Sequence, residues 1–188
     1  MMKVLITGNL GYIGSVLTSR IDKYKFDITG LDTGFYKDCS FIKKKIKFKQ
    51  VYMDLRNIKI EDIKGYNAII HLASLSNDPL GELNPNLTKQ INYSATVRLA
   101  KFAKLVGVKR FVYASTQSMY GISNISEELD EDNSEKNPIT TYAKTKWDAE
   151  DDLKKLNDNN FIVSCFRPST VFGSSPRLRC DIVFNNLL

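Results

Sequence analysis

The sequence predicts a doubly wound α/β fold, a parallel sheet with helices on both faces. Three observations carry this expectation. Short apolar segments alternate with segments of helical periodicity along the whole chain, the pattern of successive strand–helix–strand crossovers. The first apolar segment, Lys3-Val4-Leu5-Ile6, runs straight into a turn with glycines at 8, 11 and 14 and then into a helical pattern. The second, residues 26–31, ends in Asp32. At 188 residues, with 43% hydrophobic and 26% charged side chains, the chain is long enough for one ordinary globular core.

Taken in order, strands are expected at 3–7, 26–31, 46–51, 67–72, 110–114 and 161–166. Helices are expected at about 12–24, 57–63, 85–106, 140–157 and near the C-terminus. The helix over 85–106 has the clearest signals. Asn84 is placed to cap it, and Pro85 suits the first helical position because its missing N–H would be unpaired there anyway. Leu87, Ile91, Ala95, Leu99, Phe102 and Val106 then recur at helical spacing until Gly107 ends the run. One polar stretch interrupts the alternation. Residues 123–137, with Glu127, Glu128, Asp130, Glu131, Asp132 and Glu135, read as a solvated acidic loop or a lid.

The glycine turn defines a ligand class. In a strand–turn–helix unit, Gly8 permits the tight turn, Gly11 lets backbone approach a pyrophosphate, and Gly14 lets the helix pack closely on the sheet. The N–H groups of the first helical turn then face the phosphates. The spacing is Gly-x-x-Gly-x-x-Gly. Asp32, eighteen residues after Gly14, is placed to accept both hydrogen bonds of an adenosine ribose diol. A carboxylate there repels a 2′-phosphate, which favours NAD over NADP.

Composition excludes several other classes. No run of eighteen apolar residues exists, so no membrane span is expected. The first residues enter a strand at once, without a signal-peptide layout. Three cysteines, Cys39, Cys165 and Cys180, lack metal spacing and suit reduced thiols in a cytoplasm. The net charge of +6 is concentrated at Lys43, Lys44, Lys45, Lys47 and Lys49, which read as the solvated side of a strand and not as a nucleic-acid patch.

Chemistry is read from two further segments. Tyr142 and Lys146 stand four apart on one helical face. A phenol with an ordinary pKa of about 10 is a poor base at neutral pH, and a nearby ammonium lowers that value. Tyr142 is then a candidate to take the proton of a substrate hydroxyl while hydride leaves the same carbon, and Lys146 a candidate to hold the nicotinamide ribose. The apolar segment Phe111-Val112-Tyr113-Ala114 ends in Ser115 and Thr116, at the sheet edge where doubly wound folds bind ligands. Thr116 is placed to bond the substrate oxygen. His71, at another strand end, reads as a packed, hydrogen-bonded core histidine.

Together these residues resemble the extended short-chain dehydrogenase/reductase superfamily, of the NAD-dependent epimerase/dehydratase type, with its Rossmann-type, three-layer α/β/α fold. The resemblance runs from Lys3 to about Asn186. It rests on Gly8, Gly11 and Gly14, Asp32, Met53-Asp54-Leu55, His71-Leu72-Ala73-Ser74, Asn92, Ser115-Thr116 with Met119-Tyr120-Gly121, Tyr142 with Lys146, and the run from Arg167-Pro168-Ser169-Thr170 to Gly173. It implies NAD as cofactor. Tyr12 and Ile13 would lie along the pyrophosphate and Asp32 on the adenosine ribose. Asp54 and Leu55 would flank adenine, while Leu72, Ala73, Ser74 and Asn92 would line the cofactor and Ser169 would sit near the nicotinamide. Thr116, Tyr142 and Lys146 would form the catalytic set.

The implied reaction is oxidation of a nucleotide-sugar hydroxyl, at C4, with return of hydride to the opposite face. A sugar-nucleotide ketoreductase or dehydrogenase with net hydride transfer, and a non-catalytic NAD-binding protein, stay open beside it. Two departures sharpen the expectation. Gln117 and Ser118 stand where 4,6-dehydratases carry an Asp-Glu pair, which disfavours elimination of water. Thr170 stands where many epimerases carry Asn at a substrate diphosphate contact. Residues 1–188 would form the NAD-binding domain, with the C-terminal substrate subdomain largely absent. The expected partners are a nucleotide-sugar and a second copy of the chain, paired through the helices at 85–106 and 140–157.

Overall fold

The computed structural model describes residues 1–22, 24–41, 46–122 and 128–187. Residues 43–45 of the lysine run and residues 123–127 of the acidic segment lie outside the described residues. Six strands form one sheet: β1 (Met2–Thr7), β2 (Phe26–Asp32), β3 (Lys49–Tyr52), β4 (Ala68–His71), β5 (Arg110–Ala114) and β6 (Ile162–Phe166). Their order is β3-β2-β1-β4-β5-β6, and every neighbouring pair is parallel. The expected doubly wound fold is therefore the one observed. All strands present their carboxyl ends on one edge. The chain works outward from β1 through β2 to β3, then returns to β4 on the other side. The crevice between the ends of β1 and β4 is thus the switch point where such sheets take ligands.

Alternation along β1 explains the layers. Val4 and Ile6 pack with Ile28, Ala68, Leu17 and Ile21 beneath α1 (Tyr12–Arg20). Leu5 points the other way, into a larger core with Ile69, Phe111 and Tyr113. Leu99 and Ala103 of α4 (Thr96–Leu105) and Ala149 and Leu153 of α5 (Thr141–Leu156) close that second face. A short α6 (Val183–Asn186) ends the described chain.

The local corrections have local causes. The first helix stops at Arg20, because Ile21 turns to extended backbone. The third strand is only Lys49–Tyr52, the stretch that finds partners along β2 from Thr29 to Asp32. The helix expected over 57–63 is two 3₁₀ turns, Leu55–Asn57 and Ile60–Ile63, separated by extended backbone at Ile58 and Lys59. The helix over 85–106 begins as expected, with Asn84 Oδ1 accepting from Leu87 N at 3.0 Å, and ends before Gly107 at φ 82°. Between Pro85–Thr88 and α4, however, Lys89–Ala95 widens into a π-helical stretch. A further helix, Asp78–Leu83, lies outside the expected elements; Asn77 caps it and Pro79 sits in its first turn. In chain order these are α2 (Asp78–Leu83) and α3 (Pro85–Thr88).

Candidate functional site

The glycine turn stands at the switch point. Gly8 has φ 72°, and its N–H donates to the Leu31 carbonyl at 2.8 Å, binding the turn to the end of β2. A Cβ on Gly8 would come within 2.6 Å of the Ala73 nitrogen, so the exits of β1 and β4 touch backbone to backbone. A Cβ on Gly14 would collide with the Gly8 carbonyl and Asn9. Its role is to let α1 close onto the turn and not onto the sheet. Gly11 caps α1 in extended conformation with no side-chain cap, and the first turn carries no acidic residue. Near Gly11, a Cβ would meet only the Gly8 carbonyl, at 3.2 Å. An uncapped helix N-terminus with open backbone above it fits an anionic diphosphate.

The remaining residues expected around a dinucleotide also gather at the carboxyl edge, in different states. Asp32 ends β2; its Oδ1 accepts from Gly34 N at 2.8 Å and its Oδ2 from Leu10 N at 3.2 Å, which fixes the carboxylate against the glycine turn. Asp54 is bound by Arg56, whose side chain donates to both oxygens, and this guanidinium holds the carboxyl below its ordinary range. Leu55 is buried in the larger core. Leu72, Ala73 and Ser74 follow β4 and are half-buried. Asn92, in the π-helical stretch, is buried with both amide ends on Leu75: Oδ1 accepts from its N–H at 2.8 Å and Nδ2 donates to its carbonyl at 3.0 Å. Tyr12 turns its hydroxyl away from the turn, to the Gly173 carbonyl at 2.7 Å, while Ile13 and Ser169 are exposed.

At the ends of β5 and α5 the three residues of the expected catalytic set converge. Thr116 is buried, accepts from Ser118 N at 3.1 Å, and lies beside the Tyr142 phenol, where its hydroxyl eases ionisation. Lys146 is also buried; its ammonium donates to the Ala114 carbonyl at 2.6 Å and lies 4.7 Å from the Tyr113 ring centre and 6.0 Å from that of Tyr142. Burial holds the Lys146 amine down to about 7. Tyr142 departs from the expectation of a lowered phenol. Burial raises it and the Asp78 carboxylate raises it further, against opposing contributions from Thr116 and Arg179. His71 is the core residue it reads as, fully buried between Thr7 Oγ1 at 2.6 Å and Thr96 Oγ1 at 2.7 Å, with burial and then the Lys146 charge holding it down to about 3.

Two residues that sequence reasoning missed complete this edge. Asp78 opens α2 and accepts from Thr140 Oγ1 at 2.5 Å, next to the start of α5. The run Asn77-Asp78-Pro79 is a helix-start signal that could have found it. Arg179 reaches back to Ser76 Oγ at 3.4 Å and pairs through two nitrogens with Asp181. The alternation of Arg177, Arg179 and Asp181 was the only hint in the sequence.

The architecture and this edge define a dinucleotide-type doubly wound domain. Residues 4–184 match the NAD dependent epimerase/dehydratase family, and the chain belongs to it. It is 30% identical over 188 residues to a UDP-glucuronate 4-epimerase of Thermodesulfobacterium geofontis, covering 92% of this chain and 57% of that protein. It is 28% identical over 182 residues to a mouse dTDP-D-glucose 4,6-dehydratase, covering 91% and 51%. Among solved structures, MoeE5 in complex with UDP-glucose and NAD superposes with a TM-score of 0.78 at 25% identity, over 98% of this chain and 59% of that one. The chain thus spans little more than half the length of these relatives. No helix among the described residues is long and apolar enough to cross a membrane.

Proposed function

We propose that this chain binds NAD and acts on a nucleotide-sugar, oxidising a ring hydroxyl and re-forming it with inverted configuration, in the manner of a 4-epimerase. The observation that supports it most is the convergence of Thr116, Tyr142 and Lys146 on the edge that carries the uncapped glycine turn. Bound NAD supplies a hydride acceptor that also serves as donor. Gly8, Gly11 and Gly14 with the first turn of α1 would hold its diphosphate, Asp32 its adenosine ribose, and Asp54 and Leu55 the adenine side. Leu72, Ala73 and Ser74 would line it, Asn92 acting by fixing the Leu75 backbone. Ser169 would stand on the nicotinamide side.

Thr116 would hold the reacting hydroxyl, and Tyr142 would remove its proton and later return it. Lys146 acts on Tyr142 through space and offers an N–H to the cofactor ribose. Gln117 and Ser118 favour epimerisation over water loss, since neither is a carboxyl acid or base. The test is incubation with NAD and UDP-hexoses, following product stereochemistry together with nicotinamide absorbance. The expected result is a changed sugar with no net absorbance change; accumulating reduced nicotinamide would instead establish a dehydrogenase. Tyr142→Phe is expected to cut turnover by about 10²–10⁴-fold with NAD affinity retained. A homodimer through α4 and α5 is part of the same proposal, and light scattering at two protein concentrations tests it.

A further inference from the structure

At the start of α5 the surface opens into a cavity of about 380 Å³, with Asp78, Gln117, Ser118, Tyr120, Thr140 and Ala143 in its wall. Asp78 is the carboxylate of that wall. Its Oδ1 is held by the Thr140 hydroxyl at 2.5 Å, and among the described residues no lysine or arginine forms an ion pair with it. Its charge is close enough to act on the Tyr142 phenol. Arg179, whose charge also acts on Tyr142, is paired with Asp181, which is itself held by Asn77 Nδ2 at 2.7 Å. The cavity wall therefore presents a fixed carboxylate acceptor whose charge reaches the Tyr142 phenol.

We propose that Asp78 determines the sugar: it accepts hydrogen bonds from sugar hydroxyls and rejects sugars that carry a carboxylate, so the substrate is a neutral hexose nucleotide and not a uronate. This rests on the nucleotide-sugar reading above. A hydroxyl-rich ring satisfies a fixed carboxylate by donating to it. A uronate would bring a second anion beside the Asp78 carboxylate, a repulsive element of the kind that sets specificity. Gln117 and Ser118, neutral and in the same wall, add no charge that would offset this.

The experiment is calorimetric titration of the NAD-loaded chain with UDP, UDP-glucose and UDP-glucuronate, for the native sequence and for Asp78→Asn. Asparagine keeps an oxygen for the Thr140 hydroxyl, and an unchanged melting temperature verifies the fold. The native chain is expected to bind UDP-glucose at least about tenfold more tightly than UDP-glucuronate, and Asp78→Asn to close that gap from both sides. Equal or tighter binding of UDP-glucuronate, or a preference unmoved by Asp78→Asn, overturns the assignment of Asp78 while leaving the nucleotide-sugar reading standing. If NAD binds but neither sugar nucleotide binds better than UDP, that reading fails and the proposal falls with it.

Discussion

Lys146 illustrates what one residue's surroundings do to its chemistry. Its spacing from Tyr142 is legible in the sequence, because residues four apart share a helical face in any fold. Its burial against Tyr113 and the Ala114 carbonyl is not legible, since that depends on where β5 lies under α5. For the same reason the sequence gives the wrong direction for the Tyr142 phenol: burial raises it, and the charge that raises it further comes from Asp78, sixty-four residues away in the chain. The Lys146 shift has a testable sign. The folded value, about 7, lies below the ordinary lysine value, so the unfolded chain binds the proton more tightly. Folding is therefore penalised fully below about pH 7, and the penalty fades as pH rises toward 10.5. Melting curves of the native chain and Lys146→Met between about pH 6 and pH 10 check this: the native chain should gain on the variant as pH rises. Parallel curves would mean that the amine is not desolvated.

Elements show where sequence patterns lose resolution. Apolar periodicity placed the long segment from Pro85 correctly, but it could not register the extra backbone length of the π-helical stretch around Asn92. Stretches of this kind recur near functional sites, and here one carries the side chain that fixes Leu75. The join between α5 and β6 was likewise hidden. Glu150, one turn beyond Lys146, receives Arg167 from the end of β6 in a pair whose side chains are 1% and 8% exposed. Arg167 also donates to the Tyr120 hydroxyl at 2.5 Å and to the Glu131 carbonyl at 2.7 Å, so one guanidinium ties together the helix of Tyr142, the turn after Thr116 and the acidic segment. Removing one partner of such a pair strands a buried charge. Arg167→Leu is expected to cost about 3 kcal/mol in chemical denaturation, toward the lower end because Lys154 also reaches Glu150. The double variant with Glu150→Leu should recover most of the loss. A double variant no more stable than the single one would show that packing, and not charge, holds this join.

At the scale of the molecule, the sheet makes the proposed cofactor binding a property of the whole fold. The turn after β1 is held by β2 through Leu31 and pressed against the exit of β4 at Ala73, while the candidate catalytic groups hang from β5 and α5. The fold class was legible because alternating strands and helices admit few topologies. The glycine turn was legible because glycine is required where backbones touch. A ligand held across β1, β2 and β4 should stabilise the entire domain and not one loop. NAD at about a hundred times its dissociation constant is expected to add roughly 2.7 kcal/mol to unfolding, read as a rise in melting temperature. NADP should raise it much less, because its 2′-phosphate would meet the Asp32 carboxylate, and Asp32→Asn should narrow the difference. Gly8→Ala forces a Cβ into the Ala73 backbone at a left-handed φ, so it should lower the unliganded melting temperature and abolish most of the NAD-induced rise together. A variant that loses stability but keeps the full response to NAD would separate the turn from the cofactor and place the diphosphate elsewhere on the edge.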